Sequence, residues 1–148
     1  MKQKSTIIKL IEHWSNTFNL PVNTDEKFPQ KERINLALKL IKEELAETEE
    51  AINNNNFLET KDGLGDLLWV VVRAMMELGI DPDETIEAIF TSNMSKADNN
   101  EEDAGITYNY YKEKGIITYC KVVNNLFITY NVSDHKVLKS HKFQKPKL

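Results

Sequence analysis

Cysteine is almost missing: Cys120 is the sole thiol in 148 residues. An internal disulfide and a zinc site built on cysteine pairs are therefore excluded. Histidine is scarce as well. None of His13, His135 and His141 has a glutamate three residues before it, so the Glu-x-x-His pairs of a di-iron helical bundle are absent. No run of 18 or more apolar residues occurs, which is about the length a helix needs to cross a bilayer. The opening "MKQKSTIIKLIEHW" lacks the long apolar stretch of a secretory signal. A cytoplasmic protein with no membrane contact is expected. Strong charge is lacking too, since a net −4 makes no case for nucleic acid as a partner.

That charge is unevenly spread. Residues 131–148 carry five lysines against Asp134, a net +4, which leaves −8 on the first 130 residues. Such a tail either folds back over an acidic site or an anionic ligand, or keeps a terminus soluble. With 41% hydrophobic and 28% charged residues, the composition is that of a globular domain with a real core.

Ile7, Leu10, Ile11, Trp14 and Phe18 recur at helical spacing, which predicts a first helix over about residues 3–18. A loop with two prolines leads to a second helix from about Pro29 to Asn53, with Ile34, Leu38, Ile41, Leu45 and Ile52 as its apolar stripe. Asn56 and Glu59 have the spacing of a capping box for a third helix ending at Gly79. Asp81, Pro82 and Glu84 then open a fourth, running to about Lys96. "ADNNEEDAG" reads as a loop and "ITYNYYKEKG" as a short helix. After it the period changes to two, and "IITYCKV" and "LFITYNV" flank Asn124-Asn125 as a β-hairpin. The expectation is a mainly α fold: a four-helix bundle-type core over residues 1–98, with residues 99–148 supplying the short helix, hairpin and basic tail on the same domain.

The third helix holds the chemistry. With Asp66 set at zero on a helical wheel, Asp62 falls at about −40°, Arg73 at about −20° and Glu77 at about +20°. Every other position from Leu64 to Leu78 is apolar or glycine. One narrow charged stripe thus runs along an otherwise apolar rod, where a surface helix would show a wide polar face. Burying an unpaired carboxylate costs on the order of several kcal/mol. An ion-pair ladder centred on Arg73 would serve Asp66 and Glu77 but leaves Asp62 without a partner. The second helix adds Glu43, Glu44, Glu47, Glu49 and Glu50. Most of these suit a solvated face, but Glu44 lies toward the apolar edge, with Glu47 one turn on. A Glu-x-x-Glu pair facing Asp-x-x-x-Asp makes an all-oxygen site of the kind Mg²⁺ or Mn²⁺ takes. On the fourth helix Asn93 falls on the apolar face, where a buried amide needs a partner. Lys96 follows one turn later, within reach of a phosphate.

"KEELAE", "DGLGDLLWVV", "LGIDPDE" and "SNMSK", in that order over roughly residues 10–98, resemble the all-α nucleoside triphosphate pyrophosphohydrolases. This is the MazG-like group that includes phosphoribosyl-ATP pyrophosphohydrolase and the all-α dUTPases. The tail "DHKVLKSHKFQKPKL" resembles one branch of the group. The resemblance implies Mg²⁺ held by a Glu-x-x-Glu and a Glu-x-x-Asp pair, and hydrolysis of a triphosphate to the monophosphate and pyrophosphate. It assigns Glu44 and Glu47 to the first pair and Asp66 to the second, makes Glu43 a candidate for positioning water or a second metal, and matches Asn93 and Lys96 to nucleotide-contacting positions. One position departs: the glutamate of the second pair falls at Gly63, and Asp62, on the face of Asp66, is the substitute. Neither Trp14 nor Trp69 discriminates one base from another.

The expectation is a Mg²⁺-dependent hydrolase of a nucleoside triphosphate, at least a homodimer, with Lys136 and Lys139 as further phosphate contacts. The competing readings are a non-enzymatic helical homo-oligomer and a regulatory protein that binds nucleotide without hydrolysis.

Overall fold

Helix ends follow the capping chemistry of the chain. The computed structural model describes residues 4–148 and contains α1 (Thr6–Thr17), α2 (Lys31–Asn53), α3 (Phe57–Glu77), α4 (Pro82–Met94) and α5 (Glu101–Glu113). The Asn56 side chain caps α3 by accepting from Glu59 N at 3.3 Å. Asp81 Oδ1 accepts from Asp83 N and Glu84 N ahead of α4. Gly79 ends the third helix at φ +74°, a conformation glycine tolerates. A Cβ there would also lie 2.2 Å from Asp25 O, so two requirements meet at one position. Pro29 lies before α2, whose N-cap is Gln30.

The chain divides into two compact units, Met1–Thr85 and Ile86–Leu148, with the boundary inside α4. In the first, Ile8 and Ile11 of α1 bury against Val72 and Met76 of α3, with Ile7 and Trp69 at the margin. Each such side chain contributes about 1.5–3 kcal/mol. The 18–30 segment is stitched to the end of α3 by Asn23 N donating to Met76 O and Lys27 N to Leu78 O.

The α2–α3 contact differs from the stripe expected of α2. Leu38, Leu45 and Ile52 are 51%, 44% and 53% exposed, whereas the buried residues of α2 are Thr48 and Ala51. At Gly63 of α3 a Cβ would meet Thr48 Oγ1 at 2.6 Å and Thr48 Cα at 3.2 Å. The helices approach through small side chains, which allow closer backbones than leucines would. Leu38, Leu45 and Ile52 are left on the outside of this chain, while Ile34 and Ile41 of the expected stripe are half-buried.

The second unit begins with a correction. α5 starts at Glu101, inside the stretch expected to be loop, because Asn100 caps it: Asn100 Oδ1 accepts from Asp103 N at 2.8 Å. Three acids in its first turn suit the helix dipole. β1 (Thr118–Val123) and β2 (Leu126–Asn131) pair antiparallel with Val123 opposite Leu126. Asn124 and Asn125 both have positive φ, 50° and 63°, as a two-residue type I′ turn demands.

The basic tail is tied down within this unit. Asp103 is buried and receives Lys142 Nζ at 2.7 Å, with His141 Nε2 3.0 Å away. Ser140 Oγ donates to buried Asp98, and Tyr111 Oη donates to Lys139 O at 2.9 Å. Among the described residues no helix is long and apolar enough to cross a membrane.

Candidate functional site

Two contacts set the register of the antiparallel helices α2 and α3. Arg33 is ion-paired with Glu77 at one end, and Thr48 abuts Gly63 at the other. In this register Glu44 falls at the level of Asp66, and Glu47 at that of Asp62, beside the Thr48–Gly63 contact. The four carboxylates that the resemblance singles out are therefore neighbours across one groove. Glu44 is half-buried, while Glu43, Glu47, Asp62 and Asp66 are exposed. Burial pushes the Glu44 carboxyl above its ordinary range, and Asp66, Glu47, Glu43 and Asp62 push it further, in that order. Asp66 contributing more than Glu47, on Glu44's own helix, agrees with the interhelical register.

Among the described residues no three of these side chains converge into a ready-made metal-binding group. Five mutually repelling carboxylates do not close on one point without a cation. Their donor chemistry, all carboxylate oxygen, fits a hard divalent ion. Glu43 is held 3.3 Å from Lys39 Nζ. Gly63 contributes no ligand, and its position faces the Thr48 backbone, so a larger side chain there would force the helices apart. Thr48 escaped sequence reasoning. Its hydroxyl donates to Glu44 O at 2.7 Å, and its burial between Glu44 and Ala51 marks the face α2 turns to α3.

The other end of the groove is closed. Arg73 and Glu77 are 8% and 6% exposed and ion-paired to each other, and Arg33 joins Glu77 from α2. Arg73 also donates to Pro21 O at 3.0 Å. Burial lowers the Arg73 pKa, opposed by Glu77. The stripe thus divides into an open acidic half and a neutralised buried half, and Asp66 takes no part in an Arg73 ladder. Arg33 was missed, although a cation in a helix's first turn opposes the dipole and so signals a tertiary partner.

Between the two halves lies a cavity of about 130 Å³. Leu36, Ala37 and Leu40 of α2 and Trp69 and Val70 of α3 form its sides, and Trp14 of α1 adds a wall. The two indoles meet edge to face, 5.7 Å apart. Arg33, Arg73 and Glu77 supply its polar end.

The remaining candidates belong to the second unit. Asn93 is exposed and Ser92 is the buried residue, donating to Gln144 O at 2.7 Å. The buried amide expected at Asn93 is corrected by this rotation of the helix, and Ile86 and Phe90 are exposed with it. Lys96 is half-buried, with its carbonyl accepting from Ser140 N. Lys136 is exposed, and Lys139 Nζ lies 4.4 Å from the centre of the Phe143 ring. Lys142 makes the tail's structural ion pair with Asp103.

Comparison with known proteins identifies the family. The chain is 31% identical over 153 aligned positions to a protein of Acanthamoeba polyphaga mimivirus described only as uncharacterized. That match covers 94% of this chain but 56% of the relative, so the chain spans about half the length of the curated relative it matches. Residues 11–93 match the phosphoribosyl-ATP pyrophosphohydrolase family. The matched region contains α2, α3, all five acids and both residues of the Thr48–Gly63 contact, and it covers more than half of the chain. The chain belongs to the phosphoribosyl-ATP pyrophosphohydrolase family, within the all-α, MazG-like nucleotide pyrophosphohydrolases.

Proposed function

We propose that the protein hydrolyses a nucleoside triphosphate, ribo or deoxy, between the α and β phosphates, releasing the monophosphate and pyrophosphate in a Mg²⁺-dependent reaction. The observation that supports this reading is that Asp66, Glu47, Glu43 and Asp62 all act on the half-buried Glu44 carboxyl, which burial already raises. Glu44, Glu47, Asp62 and Asp66 would hold Mg²⁺, or Mn²⁺. When bound, the ion supplies a water of lowered pKa and neutralises charge on the phosphates. Glu43, exposed beside Lys39, would orient the attacking water and accept its proton. The water oxygen forms a bond to the α phosphorus as the bond from that phosphorus to the bridging oxygen breaks, and pyrophosphate leaves.

Asn93, Lys96, Lys136 and Lys139 are proposed nucleotide or phosphate contacts, on the family resemblance. A homodimer or higher oligomer is proposed from the apolar side chains left exposed on α2 and α3, such as Leu38, Leu45, Leu64 and Leu68. Such faces mark association surfaces. A cytoplasmic setting is proposed, and neither nucleic acid nor membrane is needed as a partner. Gly63 favours a second reading, nucleotide binding without hydrolysis, because it removes one family ligand.

The test is a panel of NTPs and dNTPs assayed for pyrophosphate, with and without Mg²⁺, on wild type and Glu47→Gln. Metal-dependent pyrophosphate release that falls at least about 10–100-fold in the variant is expected, since even outer-shell partners of a metal cost that much. No release from any nucleotide overturns the enzyme, and nucleotide binding in that case selects the second reading. Orthophosphate in place of pyrophosphate overturns the bond assignment.

A further inference from the structure

We infer that the outer edge of β1 is a self-association surface. β1 of one copy pairs antiparallel with β1 of a second copy about a two-fold axis at Cys120, and the two hairpins become one four-stranded sheet. This surface belongs to the second unit and uses neither the apolar faces of α2 and α3 nor the acidic residues.

The backbone of the hairpin has one covered edge and one open edge. Val123 faces Leu126 across a two-residue turn, so the pairs that exchange hydrogen bonds are Val123–Leu126, Lys121–Ile128 and Tyr119–Tyr130. Val132 N donating to Ile117 O continues that series. Phe127, Thr129 and Asn131 therefore turn their backbone groups to the far side of β2, and the chain itself meets them there. Phe127 exchanges both bonds with Asp98, Leu138 N donates to Thr129 O, and Asn131 N donates to Lys136 O. Thr118, Cys120 and Val122 turn theirs to the outer side of β1. Among the described residues no hydrogen bond reaches those outward groups.

Nothing on β1 guards that edge. Edge strands are commonly protected by proline, by a bulge or by several charges. β1 has no proline, pairs with β2 without a break from Thr118 to Val123, and carries one charge, Lys121. Ile117, Val122 and Val123 are exposed along it.

Charge and shape complementarity select a second copy as the occupant. Successive side chains alternate between the faces of a strand. Pairing about Cys120 sets each Cys120 against its equivalent, Thr118 against Val122, Tyr119 against Lys121 and Ile117 against Val123. Thr118, Cys120 and Val122 each exchange two hydrogen bonds with the second copy. Every exposed apolar residue meets an uncharged one. The strand's only charge meets an aromatic ring, a contact Lys121 already makes at 5.7 Å with Tyr119 and Tyr130 of its own hairpin. The neighbouring registers satisfy the backbone but not the side chains. Centred on Lys121, two lysines stand directly opposite, which is destabilising. Centred on Tyr119, Val123 faces Gly115 and Lys121 faces Ile117.

The full chain is followed by amide hydrogen exchange and sedimentation velocity across a dilution series. Where about nine chains in ten are paired, the Thr118, Cys120 and Val122 amides are expected to exchange about tenfold more slowly than in the dilute monomer, because exchange proceeds from the unpaired minority. The inward amides of Tyr119, Lys121 and Val123 are protected at every concentration. Cys120 is the only thiol, so a covalent dimer made by a short bismaleimide joins the two Cys120 residues. Val122→Pro removes an N–H that the chain does not use, a position where an edge strand accepts proline. It abolishes the concentration-dependent protection and the covalent dimer while far-UV circular dichroism stays native. If that variant does not fold, Tyr119→Lys sets a lysine against Lys121 of the second copy and abolishes pairing, and Lys121→Glu in the same chain restores it. Association that leaves the three outward amides unprotected puts the interface elsewhere and overturns the edge pairing, with the hydrolase untouched. Protection that persists in the dilute monomer, or a chain monomeric throughout the series, overturns it as well.

Discussion

The two ends of α3 carry the same kinds of side chain and treat them in opposite ways. At Arg73 and Glu77 the charges are buried, and each has a partner: Arg73 pairs with Glu77, Arg33 reaches across from α2, and the Pro21 carbonyl takes one more hydrogen bond. At Asp62 and Asp66 the carboxylates are exposed, and among the described residues no hydrogen bond or ion pair holds them. Both act, with Glu47 and Glu43, on the Glu44 carboxyl that burial already raises. A fold that needed only stability would not collect unpaired anions on one groove while it neutralised those a few turns away. The difference separates charges that hold the fold together from charges that do not.

The largest expected effect comes from breaking the closed end. Glu77→Ala leaves the buried Arg73 without its carboxylate and is expected to cost about 3–5 kcal/mol in denaturant unfolding, the range for removing one partner of a buried pair. Glu47→Gln at the open end leaves the unfolding free energy nearly unchanged while pyrophosphate release falls. A Glu77 variant as stable as wild type would erase the distinction between the two ends.

The glycines sharpen the comparison next. Gly63→Ala drives a Cβ to 2.6 Å from Thr48 Oγ1 and is expected to destabilise by about 1–3 kcal/mol, as overpacking does. Gly65→Ala meets nothing within 4 Å and is expected to stabilise by about 0.5–1 kcal/mol through helix propensity. Thermal melts of the two variants read both signs at once.

In the second unit, Lys142 holds the Asp103 carboxyl below its ordinary range through a hydrogen bond, helped by His141 and opposed by burial. A depressed carboxyl stabilises the fold above its unfolded value, about pH 4, and loses that contribution as pH falls through the lowered folded value. The stability difference between wild type and Asp103→Asn is therefore full at neutral pH and closes in acid, measured by denaturant unfolding across a pH series.

The smallest effect has the opposite sign. The Glu44 carboxyl is raised, so it favours folding below its unfolded value and loses that contribution as pH rises through the folded one. Glu44→Gln is expected to raise the melting temperature of the metal-free protein at pH 7 by about 1–2 °C. It also reduces the stabilisation that added Mg²⁺ gives the wild type.

Much of this was written locally. Asn56, Gly79, Asp81 and the Asn124-Asn125 turn act on backbone groups within a few residues, and each does in the structure what its position implied. The start of α5 was legible in principle, because Asn100 and the acids after it form a cap, but a run of polar residues also reads as loop. The face of α2 was not legible. Periodicity ranks faces by hydrophobicity, and the packed face here is small and partly polar, with Thr48 against Gly63 and Arg33 against Glu77. Asn93 was misplaced for the same reason, since hydrophobic spacing on α4 pointed to a face that this chain leaves exposed.

Sequence alone determined the helices, their caps, the hairpin and the set of acids, because those depend on side chains acting over one or two turns. Tertiary structure decided which charges are paired, how closely α2 approaches α3, and that a cavity walled by Trp14 and Trp69 lies beside the acids. Apart from the Arg73–Glu77 pair within α3, those outcomes depend on contacts between residues more than ten positions apart. Such contacts are set by the fit of whole surfaces, which no local pattern encodes.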